Sequence, residues 1–329
     1  MTTLWDCTGT QVVKALGAAR RDAGGVASGL VLTLVVVAGE GDVDEVERAA
    51  TTASSAHPCR VIVVVRRHVD APVPRLDAEV SIGGRLGPGE AVVLRMNGRL
   101  CLHAESVVLP LLAPDAPVVT WWTPEPPELI AHDPLGVLAD RRVTDVAHCA
   151  DPIASLRQRA HDFAPGDTDL AWSRTTPWRT VMAGALDAVH GTPTSARVTA
   201  RPNSTSGALL AAWLSNGLSL DVPVEEASGR GIQAVELSLD GGQDGGGTTI
   251  RLARDGDRSG VLSRTGEPDR VMPLPWYDSG ELLAEELRHL DDDPVYANAL
   301  GRLAGLGRLD DRPRTRTHIW RDPAQAEAG

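Results

Sequence analysis

Two continuous apolar runs, separated by a helical segment, place the strongest constraint on the fold of this chain. Residues 30–37 and 60–66 are rich in β-branched side chains and show no alternation of polar and apolar positions. Such runs are typical of strands that are buried on both faces. Between them, Asp42 precedes an amphipathic segment that extends to about residue 56. A strand–helix–strand unit of this kind predicts parallel strands joined by a right-handed crossover.

Further segments extend this unit into an α/β domain, which we assign to residues 1–164. Its mixed, partly parallel sheet gains predicted strands at residues 77–82, 91–96 and 117–122, and its predicted helices cover residues 8–20, 42–56, 103–112 and 152–163. The turn at Pro165 and Gly166 marks the predicted boundary, because a Pro-Gly pair interrupts regular structure.

The second half follows a different pattern, and we assign residues 165–309 to an α+β domain. Four short β-like runs occur at residues 232–239, 248–253, 260–264 and 270–274, with helices predicted before and after them. Short strands in succession, flanked by helices, are typical of an antiparallel sheet in an α+β domain. The polar tail, residues 310–329, has little to bury and is expected to be partly disordered.

Charge and hydropathy exclude several classes of function. A net charge of −12 disfavours binding to nucleic acid or to an anionic membrane surface, because both require concentrated positive charge. The N-terminus lacks the basic start and apolar core of a signal peptide, and the longest apolar run is too short to span a bilayer. We therefore expect a cytoplasmic protein that contacts no membrane.

The four cysteines are predicted to be free thiols. Cys7, Cys59, Cys101 and Cys149 are widely spaced and form no C-x-x-C motif. Each of the last three lies close to a histidine, but structural zinc sites require closely paired ligands, which these spacings do not supply. We expect neither a metal nor another cofactor.

Tryptophan and arginine are concentrated in residues 165–179, although the chain is only 3% aromatic. These two residue types are enriched at tight protein interfaces. With residues from two other segments they form our partner-binding candidates: Trp121, Trp122, Arg141, Arg142, Trp172, Arg174, Trp178 and Arg179. The alternative is that the tryptophans fill a core and the arginines pair with nearby aspartates, because most tryptophans are largely buried.

A second candidate site binds an anion. It comprises Arg201, Ser204, Thr205 and Ser206, which precede or open a predicted helix. The backbone amides at a helix N-terminus and the serine and threonine hydroxyls can donate hydrogen bonds to a phosphate or carboxylate. Simple capping of the helix explains the same residues.

Nothing in the chain is typical of a catalytic site. Gly39 and Gly41 lie where a dinucleotide-binding loop would follow the first strand, but Asp44 replaces the third glycine of that motif. The motifs of nucleophilic hydrolases, P-loop NTPases, zinc proteases and kinases are missing. Acid–base candidates remain, but carboxylate pairs alone do not identify an active site: His132, Asp140, Asp145, Asp167 and Asp169.

Several long segments, in this order, resemble one known family. They are residues 57–62 (HPCRVI), 106–119 (SVVLPLLAPDAPVV), 121–122 (WW), 133–136 (DPLG), 140–145 (DRRVTD), 165–172 (PGDTDLAW), 176–179 (TPWR) and 281–287 (ELLAEEL). The chain resembles the OpcA family of glucose-6-phosphate dehydrogenase assembly proteins over most of its length. The resemblance implies a non-catalytic assembly factor or allosteric activator that binds this dehydrogenase, which opens the oxidative pentose phosphate pathway, and it implies no cofactor.

Two other hypotheses remain open. In the first, the chain is an enzyme that acts on a sugar phosphate through the turn at residues 203–207. In the second, it is a metabolite sensor whose ligand bridges the two domains. Co-purification with glucose-6-phosphate dehydrogenase separates the assembly factor from both.

Overall fold

The computed structural model describes residues 1–23, 30–83, 89–123, 125–130, 132–241 and 246–314. Within these ranges the chain forms two β-sheets, of eight and six strands, together with ten α-helices. The protein is thus a mixed α/β structure with one sheet rich in parallel strands.

The eight-stranded sheet, here called the first sheet, contains the two apolar runs at its centre. Its strands are β1 (Thr2–Leu4), β2 (Leu32–Ala38), β3 (Cys59–Arg66), β4 (Arg75–Ile82), β5 (Glu90–Asn97), β6 (Val118–Thr123), β7 (Arg141–Thr144) and β8 (Asp167–Asp169), in the spatial order β1-β4-β5-β3-β2-β6-β7-β8. Strands β1 and β4 are antiparallel to their neighbours, and the others are mutually parallel. The predicted parallel pairing of β2 with β3 is confirmed.

Two layers of helices cover this sheet, which explains why its central strands are apolar throughout. The helices of this part of the chain are α1 (Gly9–Asp22), α2 (Val43–Ala56), α3 (Glu105–Val108), α4 (Pro134–Val137) and α5 (Pro152–Asp162). On β2, Leu34 and Val36 pack with residues of α2, whereas Val35 and Val37 pack on the opposite face with residues of α1. Successive strand residues point to opposite faces, so a strand between two layers needs apolar residues at every position.

The six-stranded sheet, here called the second sheet, is mostly antiparallel, as the short runs predict. Its strands are β9 (Thr192–Ala200), β10 (Val224–Glu226), β11 (Ile232–Asp240), β12 (Thr248–Asp255), β13 (Ser259–Arg264) and β14 (Arg270–Pro273), in the order β10-β9-β11-β12-β13-β14. Only β10 and β9 run parallel within the described residues. The remaining helices are α6 (Leu170–Ser173), α7 (Thr176–Asp187), α8 (Thr205–Leu218), α9 (Ser279–Arg288) and α10 (Pro294–Ala304).

The chain connects the two sheets more closely than the sequence predicts. Strand β8 begins two residues after the predicted boundary, yet it pairs with β7 and completes the first sheet. Helix α9 returns to the first sheet, where Leu283 packs with the α2 layer and the Ala284 carbonyl lies 2.9 Å from His57 Nε2. A division into two domains remains a proposal. The pairing of β8 with β7 places residues 167–169 in the first sheet, although they follow the turn at residue 165.

The region predicted as one helix over residues 103–112 differs as well. It forms α3 between two 3₁₀ turns, Gly98–His103 and Leu109–Leu111. Pro110 explains the break, because proline has no N–H group to continue the helical hydrogen bonds.

Of the predicted tail, only residues 310–314 are described, and residues 315–329 lie outside the described residues. Arg312 donates to the backbone carbonyl of Ala160 at 3.0 Å, so the described part of the tail contacts α5. No helix among the described residues combines the length and apolar character needed to cross a membrane.

The packing of α9 on α2 generates a testable prediction. A Cβ added at Gly280 would lie 2.8 Å from Thr52 Cβ and 3.0 Å from Ala49 Cα. Gly280→Ala therefore forces the helices apart and is expected to lower the free energy of unfolding by about 1–3 kcal/mol, the usual cost of overpacking. Urea denaturation measures the change.

Gly184→Ala is the matched control. Gly184 lies inside α7, and a Cβ there meets nothing within 4 Å. Alanine favours a helix over glycine by up to about 1 kcal/mol, so this variant should be at least as stable as the unsubstituted protein. Equal stability of the two variants would contradict the proposed close contact.

Candidate functional site

The two adjacent tryptophans of β6 are both core residues. Trp121 is 2% exposed and packs in the α2 layer, whereas Trp122 is 1% exposed and packs on the other face near Ile130 and Leu135. Adjacent strand residues face opposite ways, and the second helical layer gives each ring its own core. The packing alternative thus accounts for both residues, and neither reaches the surface.

Arg141 and Arg142 are also adjacent and buried, on β7. Arg141 forms an ion pair with Glu286 of α9 and donates to the Asp291 carbonyl at 2.8 Å. Arg142 forms an ion pair with Asp167 and donates to two backbone carbonyls. A buried charge without its partner is strongly destabilising, so these arginines hold α9 and the segment before β8 against the first sheet.

Trp172 and Arg179 form a stacked pair. The Arg179 guanidinium lies 3.6 Å from the centroid of the Trp172 ring, and Trp172 Nε1 donates to Asp293 at 2.7 Å. Burial lowers the pKa of Arg179 to about 10, while the charges of Asp293 and Glu286 oppose that shift. Trp172 is 2% exposed. Its ring therefore makes its contacts inside the protein, between α6, α7 and the start of α10.

A buried carboxylate cluster joins the ends of β7 and β8. Asp145 accepts two hydrogen bonds from Arg174, at 2.7 and 2.5 Å. Asp169 is completely buried and accepts hydrogen bonds from Thr144 Oγ1, at 2.6 Å, and from two backbone amides. Burial, followed by the negative charge of Asp145, raises the pKa of Asp169 to about 6. These bonds orient the strand ends, and the Asp169 carboxylate faces no open site.

The other acid–base candidates do not converge on this cluster. Asp167 pairs with Arg142, Asp140 accepts a hydrogen bond from the Val118 amide at 2.9 Å, and His132 is exposed. The hydroxyls of Thr144 and Ser173 each contact a carboxylate, but both pairs are buried in the core, so the structure adds no catalytic assignment.

A cleft of about 1280 Å³ opens between the start of α8 on one side and helices α2 and α9 on the other. It brings together the complete candidate anion site and two of the partner-binding candidates: Arg201, Ser204, Thr205, Ser206, Arg174 and Trp178. Ser204 caps α8, since its Oγ accepts from the Gly207 amide at 3.1 Å. Capping and an anion site are compatible here, because the cap uses only one of the three hydroxyls.

The cleft also contains residues that the sequence analysis did not identify. The guanidinium of Arg254 lies 4.0 Å from the ring centroid of Trp276 and 5.5 Å from that of Trp178, and the guanidinium of Arg230 lies 4.8 Å from Trp276. These residues come from separate strands and loops. No local pattern could have identified them, because only the fold of the second sheet makes them neighbours.

Electrostatically, the two walls of the cleft differ. Arg201, Arg230 and Arg254 lie on the wall of the second sheet, whereas the α2 wall carries more acidic than basic residues: Asp44, Glu45, Glu47 and Arg48. Burial lowers the pKa of Arg254; the charge of Asp257 opposes this shift, and that of Arg230 adds to it.

No group of three or more metal-ligating side chains is assembled in the described ranges.

No cysteine forms a disulfide bond within the described structure. Cys59 and Cys101 are buried, as predicted, and burial raises the pKa of Cys59 to about 12. A thiol with so high a pKa is a poor nucleophile.

Comparison with known families gives a consistent result along most of the chain. Residues 50–161 match the family model for the N-terminal domain of the glucose-6-phosphate dehydrogenase subunit, which belongs to the OpcA assembly proteins. Residues 165–300 match the corresponding model for the C-terminal domain of the same protein. A comparison with curated proteins found no match.

Among solved structures, the chain is similar to nicotinamide-dependent oxidoreductases, but only distantly. A 3-ketoreductase from Actinomadura kijaniata has 13% identity and a TM-score of 0.41, over 83% of this chain and 95% of that chain. An NAD-binding oxidoreductase from Klebsiella pneumoniae has 9% identity and a TM-score of 0.41, over 84% and 95%. Similarity this low carries no inference about activity.

The burial of Trp178 predicts a large effect on stability. Trp178 is 2% exposed and packs in the core of the second sheet. We expect Trp178→Ala to lower the free energy of unfolding by about 3–5 kcal/mol. The control is Trp5→Ala, because Trp5 is 70% exposed; its effect should stay within about 0.5 kcal/mol. Unchanged urea denaturation with lost partner binding would instead assign Trp178 to a binding surface.

The carboxylate cluster predicts a coupled titration. Because the charge of Asp145 helps to raise the pKa of Asp169, Asp145→Asn should lower that pKa. A pKa above its usual value means that the folded state prefers protonated Asp169, so this group's contribution to stability falls as pH rises from about 4 to about 6. The variant should weaken that dependence.

Carbon-13 NMR titration of the side-chain carboxyls measures the pKa of Asp169 directly. Asp187→Asn is the control, since Asp187 lies exposed at the end of α7. If the pKa of Asp169 stays the same or rises in Asp145→Asn, the assigned coupling is wrong.

Proposed function

Because the chain belongs to the OpcA family of glucose-6-phosphate dehydrogenase assembly proteins, we propose that it binds glucose-6-phosphate dehydrogenase and promotes its active oligomer. The observation that carries the proposal is that both parts of the family match, one after the other, and together extend from residue 50 to residue 300. The matched region includes β3 to β8 of the first sheet and all of the second sheet. The proposed action therefore belongs to the whole fold and not to one motif.

The region after β2 supports a non-catalytic role. A dinucleotide-binding sheet carries a glycine-rich turn at this position, and the pyrophosphate lies against the following helix N-terminus. Here the turn is the 3₁₀ helix Glu40–Asp42, and Asp44 and Glu45 follow in the first turn of α2. Glu40 is held by an ion pair with Arg67. This acidic helix start repels a pyrophosphate, so we propose that the chain acts through protein contacts without a nicotinamide cofactor.

The eight partner-binding candidates take a supporting role in this proposal. Trp121, Trp122, Arg141, Arg142, Trp172 and Trp178 are buried, and only Arg174 and Arg179 are partly exposed. The buried members fix the positions of the surface segments that a partner would contact. Substituting them should therefore weaken partner binding through loss of stability.

An assay with purified glucose-6-phosphate dehydrogenase tests the proposal. Addition of this protein should raise the specific activity of the dehydrogenase, and size-exclusion chromatography should show a shared species larger than either protein. An equal concentration of an unrelated acidic protein is the control. The protein alone should show no turnover of glucose 6-phosphate with nicotinamide cofactors.

Unchanged dehydrogenase activity together with separate elution of the two proteins would overturn the assembly role. A steady-state rate in this protein alone would overturn the non-catalytic assignment.

A further inference from the structure

The floor of the cleft exposes hydrogen-bond donors that the protein itself does not use. Thr205 and Ser206, in the first turn of α8, are 2% and 8% exposed and line the cleft. Neither hydroxyl has a hydrogen-bond partner among the described residues, whereas that of Ser204 caps the helix. Both hydroxyl oxygens remain accessible from the cleft, so a ligand there can accept hydrogen bonds from them. The backbone amides at the start of a helix also lack intrahelical acceptors.

Three arginines surround this floor, and Trp276 links them. The Arg201 amide donates to the Gly231 carbonyl at 2.9 Å, and Gly231 lies so close to the Trp276 ring that a Cβ there would be 2.8 Å from it. Arg230 and Arg254 stack on the same ring. None of the three guanidinium groups forms an ion pair with a described carboxylate. The wall is thus positively charged in a chain whose net charge is −12.

The positive charges gathered on this wall favour an anionic ligand. Burial lowers the pKa of Arg254, and the adjacent charge of Arg230 lowers it further against the opposing charge of Asp257. The N-terminus of α8 adds a partial positive charge at the same place. A phosphate accepts hydrogen bonds from arginine, hydroxyl and amide donors together, and charge-assisted bonds of this kind are strong.

The opposite wall of the cleft, on α2, indicates which groups the ligand carries besides its phosphate. Asp44 and Glu45 of α2 are exposed toward the cleft, and carboxylates accept hydrogen bonds from hydroxyl groups. Arg48 of the same helix also lines the cleft, so this wall presents two carboxylates and one guanidinium and is less favourable for a second phosphate than the arginine-rich wall. A ligand that suits both walls therefore carries one phosphate and several hydroxyls.

We propose that the cleft binds the phosphate monoester of a small polyhydroxylated molecule, as in a sugar phosphate. The phosphate lies at Arg201, Arg230, Arg254 and the Thr205 and Ser206 hydroxyls, and the hydroxyls of the ligand face α2. The proposal is independent of the assembly role, since it concerns this chain alone.

Isothermal titration calorimetry on the purified full chain tests this, with glucose 6-phosphate, glucose and inorganic phosphate as three separate probes. Glucose 6-phosphate should bind more tightly than either of the other two, with a Kd below about 1 mM, the usual range for metabolites. No binding of glucose 6-phosphate in this range overturns the proposal. If glucose binds as tightly as glucose 6-phosphate, the phosphate does not contribute to recognition. If inorganic phosphate binds as tightly, the ligand hydroxyls do not contribute. Either result also overturns the proposal.

The double variant Arg201→Gln, Arg230→Gln locates the site. Both side chains are exposed and form no ion pair with a described residue, so the variant should have the same melting temperature as the unsubstituted protein. It should bind glucose 6-phosphate roughly tenfold more weakly or worse, as expected for the loss of charge-assisted hydrogen bonds. Ser206→Ala should also weaken binding, by about tenfold.

The matched control is Arg251→Gln, Arg270→Gln, which removes the same number of positive charges elsewhere on the second sheet. Arg251 lies three residues before Arg254 on β12 and pairs with Glu236, whereas Arg270 at the start of β14 pairs with Glu267. This control should retain the affinity of the unsubstituted protein. If both double variants lose affinity equally, the effect is one of overall charge and the proposed site is wrong.

Discussion

The buried ion pair between Arg141 and Glu286 is the contact on which the arrangement of this structure depends. Arg141 comes from β7 of the first sheet and Glu286 from α9, which follows the second sheet in the chain. Ser173 of α6 donates to the other oxygen of Glu286 at 2.5 Å. Three distant segments thus share one buried carboxylate. Removing one partner of such a pair typically costs about 3–5 kcal/mol, because it leaves an uncompensated charge.

This contact has a direct consequence for the cleft. It holds α9 against the first sheet, and Gly280 in the first turn of α9 lies against Ala49 of α2. The acidic wall therefore has a fixed position. The basic wall is built from the second sheet and the start of α8, which α10 contacts through the bond between Asn216 and the Asn298 carbonyl at 3.0 Å. The chain thus brings two walls of opposite charge together through helices and not through the sheets.

Several tryptophan and arginine side chains contact one another inside this protein and join separate helices and strands. Arg179 stacks on Trp172, and Arg254 contacts both Trp178 and Trp276. Planar guanidinium groups stack on aromatic rings and donate several hydrogen bonds at once. The same properties make these residues common at interfaces, so composition alone could not separate a core role from a surface role. The burial of Trp121, Trp122, Trp172 and Trp178 favours the core role for these four rings.

The sequence by itself determined the local elements and the family. The apolar runs of β2 and β3, the amphipathic helix between them and the short strands of the second sheet all follow from local periodicity and side-chain chemistry. Only the tertiary structure decided that β8 joins the first sheet, that α9 returns to α2, and that Arg230, Arg254 and Trp276 meet beside the candidate anion site. The physical reason is that these contacts join segments far apart in the chain. Local patterns fix which face of an element is apolar, but not which distant element covers it.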